Sequence, residues 1–368
     1  MKDFLVITAF RDTGDPYRRR NLATCIGSVA KNFPEAEHVI VEQLDGPGSG
    51  KWFDSQGFTG VTHDKVDMAI ALGGTADGLF HKPVLLNAAV KTHPDRRLYV
   101  MVDADLYFTR DLAEYAMSEG GEGKLVFPYG DALYLDELDT RRYIEYGTIW
   151  PGEKDHGVTI RRQTGLAVAF TYGDFGQVRG FDEDFAAWGA EDDAFMYKFV
   201  RLGKRVLRNP DRSAVAYHMF HPKVNTPRYV GEATYRRNRV LCACIRRMSD
   251  VDFAGYLAGK STLDSLARKY REMGRLEISL DWAVARKDPA AGIPEDIVFH
   301  MDTTIYDIDR GGEMSIDRIM EAVVKEDGME GVVWFAEHVF FKVAGLPAGV
   351  RADVERWYGR AKAACSIS

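Results

Sequence analysis

Three consecutive carboxylates, Glu191, Asp192 and Asp193, follow a Trp188-Gly189-Ala190 step and lead into an apolar segment ending at Phe199. Solvated acidic runs sit among polar neighbours. This one has Phe185 and Trp188 before it and Phe195, Met196 and Phe199 after it. Such flanks partly desolvate a carboxylate and raise its proton affinity toward what a general base needs. The same residues also suit the acidic first turn of a helix, "DDAFMYKFVRLG". The two roles are compatible, because a helix start is a rigid mount for a base. A second acidic pair, Asp103-Ala104-Asp105, falls within "RLYVMVDADLYF" (97–108). A D-x-D at a strand end can hold a divalent cation through hard oxygen ligands, and that cation can bridge the phosphates of a nucleotide. A solvated turn after a strand would give the same three residues. His218 and His221 lie at i and i+3 in "VAYHMFHPK". On a helical or tight turn that spacing brings both imidazoles to one side, where they can complete a metal site begun by Asp105. Mixed carboxylate and imidazole ligation suits Mn²⁺ better than Mg²⁺, which prefers oxygen and retained water.

These groups need a scaffold that presents them together. "FLVITAF" (4–10), "HVIVEQ" (38–43) and "RLYVMVDADLYF" are short β-branched and aliphatic runs that read as buried strands. Between them, "RRRNLATCIGSVAKNF" (18–33) and "KPVLLNAAVKTH" (82–93) have helical spacing. Alternating strand and helix implies an α/β fold with a mostly parallel sheet covered by helices, and ligands bound beyond the carboxyl ends of the strands. The D-x-D stands at such an end.

In order, the chain presents "ITAFRD", "FHKPVLLNAAV", "YVMVDADLYF", "GLAVAFTYGDFGQVRGFDEDFAAWGAEDD" and "AYHMFHPK". This series resembles the beta-1,4-galactosyltransferase family and its relatives among bacterial chondroitin-type polymerases, which are GT-A (Rossmann-like) glycosyltransferases using UDP-sugars. The similarity spans about residues 3 to 240. It implies that Asp105 and His221 bind metal, with His218 where some members have methionine, and that Asp103 lies on the nucleotide side beside Ala104. Arg11 and Lys82 fall at positions that contact the uridine diphosphate in relatives, and Phe80 at a uridine-contacting one. Trp188 resembles the tryptophan bearing on donor and acceptor sugars, and Asp192 stands in the place of the catalytic base. Glu191 is then a partner for acceptor hydroxyls and Asp193 an organiser of the acceptor loop. The implied chemistry is direct displacement at an anomeric carbon, with the carboxylate on the face opposite the departing diphosphate. Three departures bear on donor identity: Thr13 replaces a second arginine, Leu166 follows Gly165 where a second glycine is usual, and Ala190 replaces a glycine, which reduces backbone freedom.

After His221, "PKVNTPRYVGEATYRRNRV" has the composition of a mobile lid. Its Lys223, Arg228, Arg236, Arg237 and Arg239 could meet the diphosphate, form a patch for an anionic acceptor, or make a solvated face. A catalytic domain over 1–248 and a mainly helical C-terminal extension over 249–368 are expected. Trp334, Phe335, Phe340 and Phe341 are expected to pack inside that extension. The net charge of −7 argues against a chain that binds nucleic acid over its whole surface. The basic run from Arg228 to Arg247 is what supports a DNA-base glycosyltransferase as the alternative, and a non-catalytic sugar- or nucleotide-binding module is a second. Cys25, Cys242, Cys244 and Cys365 lack metal or disulfide spacing, and no apolar run spans a membrane, so a cytoplasmic protein with reduced thiols is expected. Donor sugar, acceptor and oligomeric state are left open.

Overall fold

In a computed structural model, the described residues are 2–46, 49–74, 76–147, 158–161, 163–187, 189–211, 213–222, 233–272 and 284–286, with short pieces of 306–336 and the stretch 348–365. The chain divides into two compact units, one of residues 1–276 and 282–292, the other of 277–281 and 293–368. In the first unit the order is β1 (Phe4–Phe10), α1 (Pro16–Asn32), β2 (Ala36–Leu44), α2 (Lys51–Gln56), β3 (Val61–Asp67), α3 (Met68–Ala71), α4 (Lys82–Thr92), β4 (Leu98–Val102) and β5 (Leu106–Tyr107). It continues through α5 (Arg110–Glu119), β6 (Lys124–Phe127), β7 (Asp131–Tyr134), α6 (Glu137–Tyr146), β8 (Val158–Arg161), β9 (Ala167–Phe170), α7 (Tyr172–Gln177), α8 (Glu191–Arg201), β10 (Arg205–Arg208) and β11 (Val215–His218). Helices Ala233–Arg247, Asp250–Leu257 and Leu263–Glu272 follow, then β12 (Val284–Arg286).

The seven-stranded sheet runs β10-β6-β9-β4-β1-β2-β3. Its pairs are parallel except those of β9, which is antiparallel to β4 and β6. This is the helix-flanked, mostly parallel α/β arrangement expected from the sequence. The near-continuous apolar runs follow from burial on both faces: Leu5 to Phe10 of β1 and all of β4 are buried. On α1, Leu22, Cys25, Ile26 and Val29 recur at helical spacing and are buried against the sheet. Asp15 caps that helix by accepting the amide N–H groups of Tyr17 and Arg18, with Pro16 in the first turn.

A second sheet of five strands runs β12-β8-β7-β11-β5. The segment 97–108 is therefore not one strand. It ends as β4 in the large sheet, turns with Leu106 N–H donating to Asp103 O at 3.1 Å, and re-enters as β5 in the small sheet. Local apolar pattern cannot reveal such a transfer, because both halves are equally apolar. β11 pairs with β5 and β7, so His218 lies opposite Leu106 and Tyr134. His218 thus ends a strand and His221 follows in irregular chain, rather than both sitting on a helical turn.

The segment carrying both histidines is tied to α1. Asn21, fully buried, donates to Met219 O (3.3 Å) and Phe220 O (3.1 Å), and Arg20 donates to Phe220 O at 2.9 Å. From the other side, Phe220 N–H donates to Thr140 Oγ1 at 2.8 Å. Behind α8, the helices from Ala233 to Glu272 share an apolar core with it, built around Phe185, Ala194, Leu241, Ile245, Phe253 and Leu266. Cys25 and Cys244 are buried thiols outside any disulfide, and no helix of the described residues is long and apolar enough to cross a membrane. The second unit includes helix Ala348–Cys365 and a hairpin of Tyr306–Asp307 with Gly312–Glu313. Trp334, Phe335, Phe340 and Phe341 lie outside the described residues.

Asn21→Ala leaves a buried carbonyl without its donor, which costs about 1–3 kcal/mol. Urea unfolding is expected to show that loss, and Thr24→Ala, which gives up a hydrogen bond to Arg20 O within its own helix, is expected to cost less.

Candidate active site

The β4–β5 crossing is clamped on both sides. Asp103 N–H donates to Leu166 O at 2.8 Å, and Leu166 N–H returns a bond to Asp103 Oδ2 at 3.2 Å. Met219 N–H donates to Asp105 O at 2.7 Å, which continues the β5–β11 ladder through the turn. The ladder therefore brings Asp105 beside the two histidines. His218 Nε2 lies 3.5 Å and His221 Nε2 3.2 Å from the same oxygen, Asp105 Oδ2. Among the described residues these three form a group able to hold a metal ion, with ligand atoms within 4.8 Å of one another. One carboxylate and two imidazoles are a donor set able to hold a divalent transition-metal ion. Burial alone raises the Asp105 proton affinity, but His218, His221 and Arg18 outweigh it and hold the carboxyl below its usual range. Tyr134 stacks on His218 with ring centroids 4.1 Å apart, and its hydroxyl accepts a bond from Gln163.

On the other side of the crossing lies a buried ammonium. Lys82 Nζ is 2.9 Å from Asp103 Oδ1, 3.3 Å from Glu191 Oε1 and 3.1 Å from Asp192 Oδ2. Lys82 begins α4 and Glu191 begins α8, so two helix starts face each other across it. The acidic triplet is thus the first turn of α8, as the helical reading has it, and its side chains are only 13–18% exposed. Burial pushes Asp192 well above the ordinary carboxylate range; Lys82 opposes this, while Glu191 and Asp103 add to it. Burial also disfavours the charged form of Lys82, but the three carboxylates outweigh it and raise the ammonium well above its usual value. Asp193 turns away, accepts a bond from Thr164 Oγ1 and lies 3.8 Å from Arg239.

A close approach makes this packing possible. A Cβ on Gly165, whose φ is +91°, would stand 2.4 Å from Asp192 Oδ2. The two replaced glycines keep glycine-like backbones: Leu166 has φ +53° and Ala190 φ +68°. The expected loss of backbone freedom at Ala190 is met by adopting the left-handed conformation anyway, as the residue that precedes α8.

The remaining residues read from the sequence are linked through a polar relay. Arg11 Nε donates to Asp45 Oδ2 at 2.6 Å, and Gln43 Nε2 donates to Asp45 Oδ1 (2.7 Å) and Leu79 O (2.6 Å). Gln43 Oε1 accepts the N–H of His81 at 2.9 Å. Phe80, half-buried against the core, has its carbonyl bonded by Ala187 N–H at 2.7 Å, next to the Gly189-Ala190 step. Ala104 packs on the cluster of Phe10, Leu22 and Ile40. Trp188, Lys223 and Arg228 lie outside the described residues, as does the side chain of Arg236. Arg237 bonds Asp184 O and both carboxylate oxygens of Asp264, and Arg246 sits over Tyr197. These members of the basic run are engaged within the unit. Asn21, Tyr134, Gln163 and Thr164 carried no sequence signal, because each acts on a residue distant along the chain.

Residues 156–222 match the family model described as the N-terminal domain of galactosyltransferase. Human chondroitin sulfate N-acetylgalactosaminyltransferase 1 is 25% identical over 184 residues, which cover 48% of this chain and 32% of that protein. The chain thus spans about a third of this curated relative. A structure of GalNAc-T7 with UDP, GalNAc and Mn²⁺ covers 73% of this chain and 54% of its own, at 13% identity and a TM-score of 0.46. The mannosyltransferase PcManGT from Pyrobaculum calidifontis, in complex with GDP-Man and Mn²⁺, covers 98% and 87% at 14% identity and a TM-score of 0.42. The galactosyltransferase-like resemblance read from the ordered motifs is therefore recovered by sequence comparison, over the segment that carries Gly165, the acidic triplet and both histidines.

Gly165→Ala is expected to destabilise the protein by about 1–3 kcal/mol, since it adds left-handed strain to a clash with Asp192. Gly121→Ala, where a Cβ meets nothing within 4 Å, is expected to stay within about 0.5 kcal/mol in the same unfolding assay.

Proposed function

We propose that this chain is a metal-dependent, inverting glycosyltransferase of GT-A type that moves a hexose or N-acetylhexosamine from a UDP-sugar to an acceptor hydroxyl. The observation that carries the reading is the convergence at one strand crossing: Asp105 joins two histidines on one side, and Asp103 joins Asp192 through Lys82 on the other. The matching segment of a galactosyltransferase family model and the likeness to an N-acetylgalactosaminyltransferase support it.

Asp192 is the base. It takes the proton of the acceptor hydroxyl as that oxygen bonds to the anomeric carbon and the bond from carbon to diphosphate breaks. Its raised proton affinity suits that task, because a carboxylate of ordinary strength accepts a hydroxyl proton poorly. Glu191, beside it on the same helical turn, orients acceptor hydroxyls, and Asp193 fixes the loop through Thr164. Asp105, His218 and His221 would hold Mn²⁺, which supplies positive charge to the diphosphate leaving group. Arg11, Phe80, Asp103 and Ala104 line the nucleotide side, and Trp188 bears on both sugars. The C-terminal extension is taken to begin at residue 249, with helices Asp250–Leu257 and Leu263–Glu272 packing behind α8. Acceptor hydroxyls on a carbohydrate are the partner this site favours.

A UDP-sugar transfer and hydrolysis screen with and without Mn²⁺ tests the reading. Asp192→Asn is expected to bind UDP and Mn²⁺ as the parent does while losing transfer by about 100-fold or more; retention of most activity would remove Asp192 as the base. His221→Ala is expected to raise the Mn²⁺ concentration needed for half-maximal activity by about tenfold or more, and an unchanged titration would count against its ligand role.

A further inference from the structure

We propose that Lys82 is a positioning residue for the base: its ammonium gathers Asp103, Glu191 and Asp192 and fixes the Asp192 carboxylate, instead of meeting the donor diphosphate. The inference rests on Asp192 as the base. An ammonium has three N–H donors, and Lys82 Nζ stands 2.9 Å from Asp103 Oδ1, 3.3 Å from Glu191 Oε1, and 3.2 and 3.1 Å from the two Asp192 oxygens. Its hydrogen-bonding capacity is therefore matched within the protein. The side chain is only 9% exposed, which leaves a phosphate oxygen little access to it. A diphosphate sharing that ammonium would also add negative charge to a cluster already holding three carboxylates around one cation.

The anchoring runs through both helix starts. Lys82 opens α4, held in place where His81 N–H donates to Gln43 Oε1, and Asp192 lies in the first turn of α8 against the backbone of Gly165. Asp103 is fixed by Leu166 N–H and adjoins the crossing that carries Asp105. Lys82 thus ties the acceptor-side carboxylates to the turn that carries the metal-side aspartate. The groups facing Asp192 are Lys82 from α4, Asp103 from the β4–β5 turn, Glu191 from its own helix and the neutral Tyr129 from the segment after β6. Asp193, next along α8, is engaged by Thr164 and Arg239. Without Lys82 the charges facing Asp192 are all negative, and its carboxyl gains protons at higher pH. The base then ionises later as pH rises, and the acid limb of the activity profile moves up.

The test compares Lys82→Met and Lys82→Arg with the parent, using UDP with Mn²⁺ as the binding probe and UDP release from a UDP-sugar as the turnover assay. For Lys82→Met, kcat is expected to fall about 100-fold or more, with the Kd for UDP and Mn²⁺ changed by less than about threefold. The acid limb of kcat is expected to rise by about one pH unit or more, and Lys82→Arg to recover part of kcat with the limb near its parental position. A Kd weakened by about tenfold or more, with kcat and its acid limb unchanged, would make Lys82 a diphosphate contact and overturn the proposal. Thermal unfolding supplies a readout free of turnover, through the cycle of Lys82→Met, Asp192→Asn and their combination. Stability losses in the double variant smaller than the sum of the single losses are expected, and additive losses would overturn the coupling. An Asp192→Asn variant that keeps transfer removes the base assignment alone, because the thermal cycle still reports whether Lys82 holds that carboxylate.

Discussion

The chain has three residues, Asp103 to Asp105, in which to leave a seven-stranded sheet and enter a five-stranded one, and everything in the site depends on that crossing. A strand that changes sheets presents side chains to the seam between them, where neither sheet supplies a covering layer. The chain secures the seam with main-chain bonds on both flanks, from Leu166 on the large sheet and Met219 on the small one. The two main-chain bonds leave the Asp105 carboxylate to the imidazoles on one side and Asp103 Oδ1 to the ammonium on the other, while Asp103 Oδ2 accepts from Leu166 N–H. The two ends of the D-x-D thus border different sheets.

Such a seam concentrates negative charge, and the structure compensates for it in two different ways. Around Asp105 the compensation is soft: two imidazoles share one carboxylate oxygen, a set that can open to admit a cation. Around Asp192 it is hard, a buried lysine with three carboxylate partners. Breaking a buried pair of this kind costs about 3–5 kcal/mol, because one partner is left charged and unpaired. The α8 terminus adds a weaker contribution, since first-turn amides favour carboxylates. In the proposed mechanism the imidazole side exchanges its contents and the lysine side holds still, as a base requires if it is to meet a hydroxyl at a fixed distance.

Much of this was legible along the chain. The strands at 4–10 and 38–43 and the helices at 18–33 and 82–93 follow from burial and helical spacing, and all four occur within a few residues of those bounds. Carboxylate and imidazole candidates could be named from residue type and order. What local pattern could not give was pairing across distance. Leu106 and His218 meet because β5 and β11 are neighbours, and no run of apolar residues records that. For the same reason Tyr134 beneath His218 went unread, and Asn21 looked like an ordinary polar residue of α1 although it anchors the histidine segment. The resemblance places Lys82 at a diphosphate-contacting position, and the sequence shows its charge but not the three carboxylates that surround it.

The non-glycine residues with positive φ point to where the fold gives up local stability. Among the described residues these are Asp95, Leu166, Arg179, Ala187 and Ala190, and three of them lie in the two loops beside Asp192. A left-handed residue other than glycine costs on the order of 1–3 kcal/mol. Leu166 accepts it because its backbone must bond Asp103 in both directions while its side chain stays buried in the core. Ala190 accepts it because the chain must turn there for α8 to begin with its carboxylates facing Lys82. Where glycine would relax the backbone, the chain keeps a side chain and the same path, so the path itself is what the site requires. Gly165 is different: no side chain fits beside the Asp192 carboxylate, and at that position conformation and space demand the same residue.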